Sequence, residues 1–235
     1  MIFMKKKALA VLLIVMVLSV TVVAGAKPTR TVEKRVFVHK VNPEKPAKPD
    51  KPGKPSGTDK EWYKYSGVHW AEEDLDLSYV VDLEGSGLDT DEAFEAIVVS
   101  FEEWDVETST ELFGEGVIDD IKAGVLDSFN GISFGLLDPG VIAVTTYWYY
   151  TDTLELVEAD TEFNTYYQWS LSGESGTMDL QNIATHEFGH WLNLGDLYNK
   201  PAKQQTMYGY STYGETSKQS IESGDIAGLE LIYGS

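Results

Sequence analysis

The chain has 235 residues, contains no cysteine and carries a formal net charge of −20 at pH 7. Because cysteine is absent, disulfides, a thiolate metal site and a cysteine nucleophile are all excluded. The charge is uneven. Residues 1–60 hold 13 of the 18 Lys and Arg but 4 of the 38 Asp and Glu, which leaves residues 61–235 with a balance of −29. So acidic a body repels nucleic acid and anionic membranes, and we expect neither as a partner.

Residues 1–26 are predicted to be a secretory signal peptide. Residues 5–7 are all lysine, residues 8–24 are almost wholly apolar, and residues 24–26 offer the small side chains that a signal peptidase reads. The alternative is an uncleaved membrane anchor, for which the apolar run is at the short limit. In both interpretations the rest of the chain lies outside the cytoplasm, either secreted or anchored at the cell surface.

Residues 27–60 are predicted to be a Lys/Pro-rich linker or stalk. Between residues 43 and 55, proline recurs at every third position with lysine interspersed. Such a stretch forms neither a helix nor a packed core, and it is typical of an extended, semi-rigid spacer.

Residues 61–235 are expected to form one folded domain of the α+β class. Alternating or β-rich apolar runs predict strands over residues 75–82, 132–134, 141–150 and 154–163. Capping residues and apolar stripes predict helices that begin near Thr90, Asp179 and Ser223. The order of these elements suggests one mixed, twisted sheet with a long helix, a second helix and a C-terminal helix.

The second predicted helix carries the pattern His-Glu-x-x-His. His186 and His190 lie four residues apart, so both imidazoles project from one helix face. This spacing suits two ligands of one tetrahedral zinc ion, and Glu187 can then serve as a base without binding the metal. The alternative is two ordinary histidines beside a solvated glutamate. With four histidines in the whole chain, this arrangement favours the metal site.

A third ligand is expected from the loop after the helix. Asn193 tolerates the left-handed conformation that ends many helices, and Gly195 adds a second flexible point. The chain can then return Asp196 to the metal, six residues after His190. The alternative for Asp196 is a loop carboxylate on an acidic surface.

Together these residues resemble the metzincin zinc peptidases, whose pattern is H-E-x-x-H-x-x-G-x-x-(H or D). Asn193 stands in place of the usual Gly, and Asp196 in place of the usual His, as in snapalysin-type metzincins. Residues 205–209, with Met207 at their centre, resemble the matrixin Met-turn, although Gly209 replaces its Pro. Residues 157–164 and 223–234 also look like matrixin segments. The resemblance covers about residues 61–235.

The resemblance implies a zincin-like fold and a zinc-dependent endopeptidase acting on peptide or protein substrates. It implies one catalytic Zn²⁺, held by His186, His190 and Asp196 above Met207, with Glu187 as general base and acid. Substrate would add as a strand along residues 141–146. The side chains expected along this strand or in the pocket wall are Ala143, Val144, Thr145, Tyr208 and Tyr210. Structural calcium is compatible with the acidic loops, and we expect a monomer that touches a membrane only if the signal stays uncleaved.

The sequence leaves open how the protein is kept latent and whether it is catalytically active. Matrixin zymogens use a propeptide cysteine on the zinc, which this chain lacks, so the enzyme needs no activation or uses another inhibitor. The competing function is a catalytically silent, zinc-containing surface protein on a charged stalk, or an adhesion module. The presence of Glu187 argues against a silent site, because a structural zinc needs no base.

Overall fold

The computed structural model describes residues 30–42 and 62–235. The predicted signal peptide and the proline-rich part of the predicted linker lie outside these residues. Within them, no helix has the length and apolar character that crossing a bilayer requires.

The described chain folds as a mixed sheet with three α-helices, which confirms the predicted α+β class. The helices are α1 (Thr90–Asp105), α2 (Leu180–Trp191) and α3 (Ser223–Tyr233). The strands are β1 (Val32–Val41), β2 (Leu77–Val81), β3 (Phe113–Ile118), β4 (Asn130–Gly135), β5 (Val141–Tyr150), β6 (Leu156–Asn164), β7 (Trp169–Ser170), β8 (Met178–Asp179) and β9 (Tyr210–Ser211). Seven of them form one sheet in the order β3-β2-β4-β6-β5-β1-β9, and β7 pairs with β8.

Strand direction changes at one side of the large sheet. The pairs β2–β3, β2–β4 and β4–β6 are parallel, whereas β5 runs antiparallel to both β6 and β1. The short strand β9 then pairs in parallel with β1. Helix α2 packs against β5, the strand at which the direction changes.

The linker prediction is wrong for residues 32–41, which form β1 inside the sheet. The proline repeat begins at residue 43, after this strand, and the segment before it is β-rich. Val36, Phe37 and Val38 are β-branched or aromatic, as strands favour. Linker character therefore cannot apply to these residues.

Helices α1 and α2 pack on one another and on the sheet through aromatic side chains. Phe101 stacks on Phe188 with ring centroids 3.6 Å apart. The indole of Trp104 donates to the carbonyl of Thr185 at 2.9 Å, so α1 also fixes the rotation of α2 by a hydrogen bond. The Asp89 carboxylate caps α1 by accepting from the backbone N–H groups of Asp91 and Glu92, so the cap lies one residue before the predicted Thr90.

Asp160 on β6 is a buried carboxylate that holds the loop before β4. It is 2 % exposed and accepts from the backbone N–H groups of Gly131 at 2.7 Å and Gly124 at 2.6 Å. Burial raises the pKa of Asp160 to about 7, despite these two hydrogen bonds, which lower it. Its charged form is therefore disfavoured in the folded state.

This pKa predicts a pH-dependent contribution to stability. Because the pKa is raised on folding, the contribution is fully present below the ordinary value of 3.8 and is lost as pH rises through about 7. We expect the difference in free energy of unfolding between wild type and Asp160→Asn to fall between pH 4 and 8, by at most about 4 kcal/mol. Urea unfolding of both proteins with excess zinc measures it, with the exposed Asp120→Asn as charge control. A difference that grows with pH contradicts the prediction.

Candidate metal centre and active site

The local structure of α2 is the one that its sequence predicts. The Asp179 carboxylate accepts from the backbone N–H of Asn182 at 2.9 Å and so caps the helix at its beginning. Asn193, just beyond the end of the helix, has a φ of 66°, in the left-handed region. This turn sends the chain back towards α2 and brings Asp196 beside His186 and His190.

Three buried side-chain atoms converge at this point. Asp196 Oδ1 lies 3.2 Å from His186 Nε2 and 3.6 Å from His190 Nε2. Both histidines are fully buried and Asp196 is 8 % exposed, yet none of the three atoms has a hydrogen-bond partner. Buried polar atoms without partners are costly and rare. Two imidazole nitrogens and one carboxylate oxygen are a donor set that zinc prefers, so the residues fit the metal.

The other atoms of these side chains are held by hydrogen bonds. His186 Nδ1 donates to the Thr206 carbonyl and His190 Nδ1 to the Leu194 carbonyl, each at 2.7 Å. Because a carbonyl only accepts, each ring carries its proton on Nδ1 and presents a lone pair at Nε2. Asp196 Oδ2 accepts from the hydroxyl of Tyr198 at 2.9 Å.

The ionisation of the three side chains agrees with a metal-binding role. Burial lowers the pKa of His190 to about 4 and also lowers the pKa of His186, so both rings are neutral near pH 7. Burial alone would raise the pKa of Asp196, but His190, His186 and the Tyr198 hydroxyl hold it below its ordinary value. The site therefore offers two neutral donors and one negative donor.

Glu187 is fully buried beside this donor set, and both of its carboxylate oxygens have partners. Thr145 on β5 donates to Oε2 at 2.6 Å, and His39 Nδ1 lies 2.9 Å from Oε1. Burial raises the pKa of Glu187 to about 8, against the Thr145 hydrogen bond, which lowers it. The protein by itself thus disfavours the charged form of Glu187, and a zinc ion held by the neighbouring residues would favour that form, which is the one that can take a proton.

Met207 lies in a tight turn packed against α2. It is fully buried, and a Cβ added to Gly189 would stand 2.3 Å from its sulfur. Asp225 on α3 holds this turn, since its carboxylate accepts from the backbone N–H of Thr206 at 2.7 Å and of Met207 at 3.4 Å. Through Thr206, whose carbonyl binds His186, the C-terminal helix supports the metal site.

Gly209 allows the turn to pass close to the metal-binding carboxylate. A Cβ at this position would stand 2.7 Å from Asp196 Oδ1 and 2.5 Å from the ring of Tyr198. The residue that replaces the usual proline of this turn is therefore the one that leaves room for Asp196 and Tyr198.

The predicted substrate-strand residues lie beside the site, but not at a free edge. Ala143, Val144 and Thr145 are on β5, whose outer side is paired with β1 in the described structure, and their role in binding a substrate strand stays a prediction. Tyr208 follows Met207, and Tyr210 is in β9, where it pairs with Lys40. The centroids of their rings lie 5.9 Å apart, and their place in a pocket wall stays a prediction.

Two residues near Glu187 were missed by sequence reasoning. His39 was assigned to the linker, although the β-rich run around it could have revealed a strand. Lys218 is one of five basic residues after residue 60, and it is 2 % exposed. Its ammonium donates to the carbonyls of Tyr208 at 2.5 Å and Tyr210 at 3.0 Å. Its ammonium also lies 3.3 Å from Nε2 of His39, 179 residues away, and no local sequence signal marks so distant a contact.

Within the described residues, two groups of side chains could hold a metal ion. One is His186, His190 and Asp196, and the other is His39, His186 and Glu187. Both belong to the same centre, and these residues offer no further cluster that would support the expected structural calcium.

Comparison with known proteins agrees with the resemblance drawn from the motifs. No curated protein matches the chain closely enough to count as a relative. Residues 69–234, which include β2 to β9 and all three helices, match the peptidase family described as Matrixin. This match covers well over half of the chain and contains every residue of the donor set described above. The chain therefore belongs to the matrixin family and is a zinc-dependent metallopeptidase.

Proposed function

We propose that this protein is a secreted zinc endopeptidase in which His186, His190 and Asp196 hold one zinc ion. The observation that carries the proposal is the convergence of three buried ligand atoms, all without hydrogen-bond partners, next to the buried carboxyl of Glu187. When bound, zinc supplies a Lewis acid that polarises a carbonyl and lowers the pKa of water.

The chain's own residues supply the proton transfers. Glu187 takes a proton from the attacking water on one of its carboxylate oxygens, and later gives it to the amine that leaves. Thr145 positions the other oxygen by its 2.6 Å hydrogen bond. The carbonyls of Thr206 and Leu194 keep the rings of His186 and His190 in the orientation that metal binding needs.

The test is a measurement of zinc content together with cleavage of casein. We expect one zinc per chain, loss of cleavage when a chelator removes it, and recovery when zinc is added. Zinc binding without cleavage, both in the wild type and in a His39→Ala variant that removes the contact of His39 with Glu187, would favour the silent surface protein. Sequencing the mature N-terminus tests secretion, since cleavage after residue 26 supports it and an intact N-terminus supports an anchor.

A further inference from the structure

Strand β1 occupies a groove beside the proposed catalytic residues. It pairs antiparallel with β5, from Val32 opposite Tyr150 to His39 opposite Ala143, and in parallel with β9 at Lys40 and Val41. Without β1, both β5 and β9 would present unpaired backbone groups to this groove. An added peptide strand is a common way in which a sheet edge binds its partner.

His39 is the one fully buried residue of β1, and it contacts Glu187 directly. Its Nε2 lies 3.3 Å from the ammonium of Lys218 and 3.1 Å from the hydroxyl of Ser211. Because an ammonium can only donate, Nε2 accepts, and the ring proton sits on Nδ1 and is donated to Glu187 Oε1 at 2.9 Å. With Thr145 on Oε2, each oxygen of Glu187 already accepts a hydrogen bond, and the ring of His39 keeps water away from its contact with Oε1.

The same face of β1 covers the two imidazoles of the metal site. Residues two apart in a strand share a face, and Phe37 and His39 do so here. Phe37 stacks on His190 with centroids 3.9 Å apart and planes 3° from parallel. His39 lies over His186 with centroids 4.0 Å apart. Most other side chains of β1 are exposed, although Phe37 and Val41 also pack against the hydrophobic core.

We propose that Val32–Val41 is an autoinhibitory strand, which fills the substrate groove and places His39 on Glu187 until it leaves. The proposal rests on the endopeptidase function, because it identifies the groove between β5 and β9 as the place where a substrate strand binds. Since β1 and the body belong to one chain, the strand competes with substrate at an effective concentration on the order of millimolar. Its basic residues also complement a body whose charge balance is −29.

The first test compares His39→Ala with His69→Ala in the full chain with zinc. His69 is a matched control, because its ring contacts the carbonyl of Gly67 and not the site. A hydrogen bond to a charged group contributes enough that its loss should raise peptide cleavage about tenfold or more in His39→Ala. The rate at which a chelator removes zinc should rise in the same variant. Unchanged rates in both measurements would overturn the proposal.

The second test locks the strand in place, which remains informative if His39→Ala perturbs the fold. Val36 and Thr146 are directly opposite in β1 and β5, at a spacing that a disulfide can bridge, and the chain has no other cysteine. In the His39→Ala background, oxidised Val36→Cys/Thr146→Cys should lose the gained cleavage and release zinc slowly, and reduction should restore both. The single Val36→Cys variant controls for oxidation.

Peptide cleavage and the rate of zinc release together distinguish a failure of the endopeptidase function from a failure of the autoinhibitory strand. If no variant cleaves peptide but zinc release is slow when the strand is locked and fast when it is reduced, the endopeptidase function fails and the autoinhibitory role fails with it, although β1 then does close the groove over the metal site. If the oxidised and reduced forms cleave peptide and release zinc at equal rates, the strand does not close the groove and the inference is wrong.

Discussion

Glu187→Gln should abolish most peptide cleavage while zinc stays bound. The amide keeps the size of the side chain and its contact with Thr145, but it cannot take a proton from water near neutral pH. General acid–base catalysis contributes about 10²- to 10⁴-fold, so we expect kcat to fall by that factor. Single-turnover cleavage of a quenched fluorescent peptide measures it, in the His39→Ala background as well as in the wild type.

The matched control for this experiment is Glu158→Gln. Glu158 is also fully buried, but it lies on β6 and accepts from the backbone N–H of Asp127 at 3.0 Å, away from the metal site. Cleavage per zinc-loaded molecule should be unchanged in this variant. If Glu187→Gln cleaves as fast as Glu158→Gln, another group is the base and the proposed role of Glu187 is wrong.

Asp196→Ala should weaken zinc binding more than a change in a residue that only hydrogen-bonds to a ligand. The variant removes the negative donor and leaves two neutral imidazoles. Loss of an outer hydrogen-bond partner of a metal ligand costs about 10- to 100-fold in affinity. We therefore expect Tyr198→Phe, which removes the 2.9 Å hydrogen bond to Asp196, to fall in that range and Asp196→Ala to exceed it. Competition with a chelator of known affinity measures both.

The surface variant Asp120→Ala completes the series. It removes the same charge from an exposed position, so it measures how far the net charge of the protein alone affects zinc affinity. We expect that affinity to change little. Wild-type affinity in Asp196→Ala would show that zinc uses other donors, of which His39, His186 and Glu187 are the second group that the structure brings together.

The metal-site helix could be predicted from sequence because its signals are local. The cap Asp179, the His-Glu-x-x-His spacing and the left-handed Asn193 lie within fifteen residues, and each acts through its immediate neighbours. The return of Asp196 follows from the same short turn. The three helices and the strands near residues 77, 132, 141 and 156 were predictable for the same reason. β3 was not, because its two glycines weaken the strand pattern.

The surroundings of the site were not predictable, because they depend on contacts between distant parts of the chain. His39 meets Glu187 across 148 residues, and Lys218 meets His39 across 179. Asp225 reaches the Met207 turn from the C-terminal helix. Such pairings are fixed by sheet order and helix packing, which a single sequence does not reveal. The composition of the proline repeat also concealed the neighbouring strand.

The position of β1 between β5 and β9 has a consequence for the behaviour of the protein at high concentration. A strand that leaves the groove of one molecule is identical to the strand that fits the groove of the next. Exchange of identical elements between copies is a low-cost route to dimers. As protein concentration approaches the roughly millimolar effective concentration of a tethered segment, a neighbour's strand competes with the molecule's own. At high concentration the peptidase would then form inactive dimers that have exchanged β1. Dilution would favour monomers.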